Sequence, residues 1–176
     1  RVLFRSRGGF GDLFGAALRR RTVAATVLAT AVLFGYWGLF TWLPGFLSAS
    51  AAEGGAGLDV VRTSGFMIAM QVGAFFGYLA FGWLADKVGR RPAFAAYVVI
   101  AAVVTPLYGW APRWGGEMAL LMLGPVVGFF GTGFFSLFGA MLAEIYPTAI
   151  RGLGQGFVYN FGRGLSALAP FAVGAL

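Results

Sequence analysis

The sequence predicts an all-α polytopic membrane protein with five transmembrane helices. Hydrophobic residues make up 59% of the 176 positions and charged residues only 11%, whereas a soluble globular domain carries about 25% charged residues. The apolar residues fall into five runs, each long enough to supply the about 20 residues that a helix needs to cross a bilayer core. The charges lie almost wholly between those runs. A helix satisfies its own backbone polar groups in lipid, so runs of this length read as helical crossings. An ordinary soluble domain is excluded.

Taken in order, the first run covers 22–43 and stops at Pro44-Gly45, and the second covers 64–84. The third covers 93–110 and opens just after Pro92, a residue that a helix start tolerates. The fourth covers 118–142, and the fifth begins near Leu153, past Pro147, and continues to the end of the chain. Residues 1–21 then form the end of a cytoplasmic loop, and 22–176 a partial transmembrane domain. The first six residues, Arg1-Val2-Leu3-Phe4-Arg5-Ser6, lack an initiator Met and resemble the translation of a sequencing-library adaptor, so they are set aside. The chain is expected to be a fragment, open at both ends.

Lys and Arg in the connections give an orientation. Arg1, Arg5, Arg7, Arg19, Arg20 and Arg21 precede the first run, Lys87, Arg90 and Arg91 separate the second and third, and Arg151 separates the fourth and fifth. The opposite connections hold only Arg62 and Arg113, beside Glu53, Asp59 and Glu117. The positive-inside rule makes the basic set cytoplasmic. The formal net charge of +7 therefore marks topology, and no nucleic-acid partner is expected.

With no Cys and no His, the chain lacks the usual nucleophile, general base and metal ligands. No Asp or Glu falls inside any of the five runs. A membrane-embedded enzyme needs such a cluster, so no catalytic residue, metal site or cofactor is expected. The partners implied are the lipid bilayer and a small-molecule substrate. Glycine is abundant inside the runs: Gly73 and Gly77 in the second, Gly124, Gly128, Gly131 and Gly133 in the fourth. Small residues four apart let helices approach closely in lipid. In the fourth run, Gly124-Pro125 and the glycines that follow also weaken helix rigidity and permit bending.

Three motifs carry more. The second and third runs are joined by Gly82-Trp83-Leu84-Ala85-Asp86-Lys87-Val88-Gly89-Arg90-Arg91, where Gly89 suits a tight turn with positive φ. Between the fourth and fifth lies Ala143-Glu144-Ile145-Tyr146-Pro147-Thr148-Ala149-Ile150-Arg151-Gly152; Pro147 interrupts the helix and Thr148 can cap the next one. In the fifth, Gln155-Gly156-Phe157-Val158-Tyr159-Asn160-Phe161-Gly162-Arg163 puts Gly156, Tyr159, Asn160 and Arg163 on one helix face. Arg163 lies about 17 Å along that helix. An arginine at membrane depth is expensive and reads as a functional site; the other reading ties it to backbone carbonyls of a neighbouring helix. Gly152-Leu153-Gly154-Gln155-Gly156 is no phosphate loop, because no strand precedes it.

The first motif resembles the G-x-x-x-D-[RK]-x-G-[RK]-[RK] signature of the major facilitator superfamily, found between helices 2 and 3 and again between helices 8 and 9. The second resembles the E-x-x-P-x-x-R element after helix 10 of sugar porters and organic-acid carriers. The third is similar to a Y-N-x-G-R element of carboxylate carriers, including sialate-type and aromatic-acid-type symporters. Phe34-Gly35-Tyr36-Trp37-Gly38-Leu39-Phe40-Thr41-Trp42-Leu43-Pro44 looks like helix 7. The resemblance covers 18–176, and it implies that the five runs are helices 7–11 of a twelve-helix carrier. The N-terminal six-helix half and helix 12 would then be missing partners within the same protein.

The resemblance further implies secondary active transport by alternating access, of an organic anion, carboxylate or sugar, with proton symport inherited from the family. A coupling carboxylate would belong to the missing half. The alternative is a non-transporting sensor built on the same fold. Substrate contacts would come from Arg163, Asn160 and Tyr159, and from Tyr36, Trp37, Thr41, Thr132 and Ser136 on helices 7 and 10. Gly82, Asp86, Gly89, Arg90, Arg91, Glu144, Pro147 and Arg151 would form a cytoplasmic gate, with Asp86, Arg90, Glu144 and Arg151 as its charge network. The expected location is the cytoplasmic membrane of a bacterium. Trp42, near the end of its helix, reads as an interfacial anchor.

Overall fold

The structure, a computed structural model, describes residues 9–174. The adaptor-like hexapeptide, Arg7 and the last two residues lie outside them. The described residues form helices and turns with no strand. Contacts divide the chain into two compact units, one of residues 1–39 and 138–176, the other of residues 40–137. Each is described by itself.

The second unit takes the end of α1 (Arg19–Ser48), all of α2 (Val60–Val88), α3 (Arg90–Trp114) and α4 (Gly116–Thr132), and the start of α5 (Phe135–Ile145). Helices α2 and α4 run parallel in close contact, because each carries glycines four apart on the facing side. Gly73 lies against the carbonyl of Pro125, Gly77 against that of Phe129, and Gly128 against that of Met70. The packing role expected of these glycines is thus met. Helix α3 is fastened to both by Tyr97. Its ring meets Phe81 edge-on at 4.9 Å and Phe130 at 5.0 Å, and its hydroxyl donates to the Gly77 carbonyl at 3.3 Å.

The first unit holds a 3-10 turn (Phe10–Phe14), the first part of α1, the end of α5, α6 (Arg151–Ser166) and α7 (Ala169–Gly174). Helix α6 buries Gly154, Val158, Gly162 and Ser166, a stripe of four-residue spacing. A Cβ on Gly162 would stand 3.0 Å from the Thr30 amide nitrogen, which puts α6 directly on the α1 backbone. Higher on α1, Gly38 meets Ala169 and Val173 of α7.

All five expected crossings are helical, but several boundaries differ. Pro44 does not end α1. The helix runs on to Ser48, because Leu43 and Leu47 are both buried and draw the next turn inward. Pro112 also lies inside a helix, so α3 meets α4 through Gly115 alone. The fourth crossing is two helices, broken after Thr132 at Gly133, which nestles against the Gly77 carbonyl and the Tyr97 ring. The fifth breaks at Ala167-Leu168, ahead of Pro170, which supplies no N–H to a continuing helix. Three helices, α1, α2 and α3, are each long and apolar enough to cross a membrane, and α4 is a shorter apolar helix. Thr148 does not cap α6. Ile150 holds the N-cap position, and the Thr148 hydroxyl accepts from Arg151 Nη2 at 3.4 Å instead.

Candidate functional site

Charge in the second unit is confined to its two ends. At one end, α2 finishes at Val88 and α3 starts at Arg90, so Gly89 is the entire turn. It has φ +92° and ψ 153°, a conformation that essentially only glycine adopts. This is the positive φ that the sequence suggests. Asp86, Lys87, Arg90 and Arg91 surround it and are all exposed; Lys87 Nζ sits 3.9 Å from the Trp83 ring centroid. Gly82, about two helical turns before Gly89, is half-buried. At the opposite end, Asp59 caps α2 by accepting the Arg62 N–H at 3.0 Å. The Arg62 guanidinium reaches Asp59 at 3.5 Å and Glu117, at the start of α4, at 2.7 Å. That three-residue cluster is not evident from sequence, because Arg62 and Glu117 are 55 positions apart.

In the first unit, Glu144 lies in the last turn of α5, Pro147 in the connection, and Arg151 at the first position of α6. All three are exposed. Tyr146 between them is buried, and its ring lies flat against Gly154. Arg163 stands 12 residues beyond Arg151 on α6, about 18 Å along the axis. Its guanidinium carbon is 5.9 Å from the Trp37 ring centroid, within reach of a cation–π contact. Tyr36 meets Trp37 edge-on at 5.5 Å. Tyr159, Asn160 and Arg163 are exposed, and Asn160 Nδ2 donates to the Gly156 carbonyl at 2.8 Å. The expected face of α6 therefore exists, and Trp37 of α1 joins it.

Thr41, Thr132 and Ser136 belong to the second unit. Thr41 and Ser136 are exposed. Thr132 is not placed as a substrate contact: it is 2% exposed, and its hydroxyl donates to the Gly128 carbonyl at 2.8 Å. In an apolar interior such back-bonding to the preceding turn is the local way to satisfy a hydroxyl. Among the described residues, no group of three His, Cys, Asp or Glu could hold a metal ion.

The sugar (and other) transporter family matches residues 22–162. A provisionally named metabolite transport protein of Haemophilus influenzae is 32% identical over 91% of this chain and 37% of its own length. A probable 4-methylmuconolactone transporter of Cupriavidus pinatubonensis is 29% identical over 97% of the chain and 38% of its own. The cis,cis-muconate transport protein of Acinetobacter baylyi is 30% identical over 81% of the chain and 33% of its own. The chain thus spans little more than a third of the length of these curated relatives. No solved structure matches it.

Proposed function

The chain belongs to the sugar (and other) transporter family of the major facilitator superfamily, and from that premise we propose that it is part of a secondary active carrier for a small organic anion. It is an integral membrane protein and not an enzyme. We place it in the cytoplasmic membrane of a bacterium, as its bacterial relatives suggest.

The observation that carries the anion reading is Arg163. A guanidinium midway along an apolar crossing must find a partner. No Asp or Glu lies within the transmembrane runs of this chain. The face of Trp37 offers only a long contact, 5.9 Å from guanidinium carbon to ring centroid, which leaves the planar fork of donors available for a substrate carboxylate. Asn160, one turn below on the same face, would add a polar contact, and Tyr36 and Trp37 an aromatic wall. Among relatives, one is named for muconate, a carboxylate. By the family resemblance, Gly82, Asp86, Gly89, Arg90 and Arg91 would act in cytoplasmic gating, as would Glu144, Pro147 and Arg151.

Uptake of a labelled muconate-type anion by the full-length carrier, expressed per folded molecule, tests the assignment. Arg163→Lys keeps the charge and loses the fork, so uptake should fall by about 10-fold or more, the range of a charge-assisted hydrogen bond. Asn160→Ala should impair it less. Wild-type uptake per folded molecule in both Arg163→Lys and Arg163→Ala would make Arg163 a packing residue.

A further inference from the structure

A buried chain of hydroxyls ties three segments together at the basic end of the first unit. The Tyr146 hydroxyl donates to Thr22 Oγ1 at 3.1 Å, and Thr22 Oγ1 donates to the Leu13 carbonyl at 2.8 Å. Leu13 and Thr22 have no exposed surface, and Tyr146 is 2% exposed. Each hydroxyl proton has one acceptor, so the chain is complete and runs in a single direction. The Tyr146 ring is held from below as well: a Cβ on Gly154 would stand 2.6 Å from ring carbons Cγ and Cδ2. Backbone bonds carry the link onward. Ile150 N–H donates to the Pro147 carbonyl at 3.1 Å, and Gly154 N–H to the Ile150 carbonyl at 2.8 Å.

Tyr146 therefore touches the start of α1 and the first turn of α6, and through Thr22 it is linked to the segment preceding α1, while sitting two residues from Glu144 and one from Pro147. We propose that Tyr146 is the positioning residue of this turn: through Thr22 and Leu13 it locks residues 144–151 to the start of α1, so that Glu144 and Arg151 move with that helix as one body. The role in transport rests on the reading of the chain as a rocking carrier. The lock itself does not. A loop whose exposed charges must meet a partner in one state and release it in another works only if it cannot drift independently of the helices that rock.

Tyr146→Phe removes only the hydroxyl and leaves the ring on Gly154. Thr22→Val removes the relay with little change of shape, and Thr22→Ser retains it. A single cysteine at Ile150, which is buried in this turn, in full-length protein freed of every other cysteine, labelled from the cytoplasmic side of inverted vesicles, reads opening of the turn. Labelling should rise by about threefold to tenfold in Tyr146→Phe and Thr22→Val, the population change that one hydrogen bond's net contribution allows. Thr22→Ser should label like the wild type, and a cysteine at Lys87, in the other unit, should be unaffected. Joint loss in the double variant should be no greater than in Thr22→Val alone, because both substitutions break one chain. In uptake, Tyr146→Phe should lower turnover with the half-saturation concentration unchanged. Faster labelling at both cysteines, or at neither, overturns the lock; a lock that holds in labelling with turnover unchanged overturns its part in transport. A wild type that moves no anion fails the carrier reading and leaves the labelling comparison standing. If Tyr146→Phe does not insert, the Thr22→Ser and Thr22→Val pair decides the question.

Discussion

Alanine at Gly128 isolates what holds α2 to α4. The added Cβ would press on the Met70 carbonyl oxygen and stand 3.1 Å from the Ala74 amide nitrogen, both fixed parts of the α2 backbone. Neither can rotate away, so the helices must part by about 1 Å to restore ordinary contact. A gap of about 0.5–1 Å already forfeits a quarter to a half of each atom pair's dispersion attraction. In lipid that attraction is the main force between helices, since the surrounding chains are as apolar as the interface. Overpacking of this kind costs about 1–3 kcal/mol, against which alanine recovers up to about 1 kcal/mol of helix propensity. The expected net loss is about 1–2 kcal/mol. Gly109→Ala in α3, where nothing lies within 4 Å, has only the propensity gain and serves as the control. Unfolding in mixed micelles, followed by helical circular dichroism, should give Gly128→Ala the lower midpoint. Equal midpoints for the two variants would refute the close seam.

Gly89→Ala should destabilise by about 1–3 kcal/mol, because its φ and ψ lie where a side chain is strained; the same micelle unfolding measures it. Ala substitution of Asp59 should lower stability by about 1 kcal/mol through loss of the α2 cap. Glu117→Ala should change it by less than about 1 kcal/mol, since the Arg62 pair is more than half exposed on both sides. For topology, an impermeant thiol reagent on intact cells should label Gly54→Cys and spare Lys87→Cys; the reverse pattern would invert the orientation. In the full-length carrier, Glu144→Gln should slow transport while sparing insertion, and unchanged transport would remove Glu144 from the gate.

The crossings were legible because a membrane span needs only length and apolar composition, both local properties of the chain. The Gly89 turn was legible for a related reason: charges crowd both sides of it, and one residue must reverse the chain. Proline shows where local reading stops. Pro44 and Pro170 remove the same backbone donor, yet α1 runs through the first and the fifth crossing breaks just ahead of the second. Buried residues flank both, Leu43 and Leu47 around Pro44 and Ser166 and Ala169 around Pro170, so the difference is a fact of packing that neither the proline nor its neighbours announce. The glycines divide the same way. Spacing alone marks Gly73, Gly77 and Gly128 as contact residues, but Gly154 carries no such signal until Tyr146, eight residues earlier, is seen lying on it.

Arg163 and Tyr146 mark two kinds of functional legibility. Arg163 announces itself because a charge in an apolar run is costly wherever it points, whereas its partner Trp37 on α1 could not be chosen from among the chain's aromatic residues without the fold. Tyr146 is the reverse case. Tyrosine beside a membrane interface is ordinary by composition, and its importance arises from contacts that only the fold creates, with Gly154 under its ring and a hydroxyl 124 positions away. Through the lock proposed for it, the acid, proline and base of that turn depend on a residue whose identity no local motif explains. Substituting Thr22, far from the turn in sequence, should then disturb the turn as much as substituting Tyr146 within it.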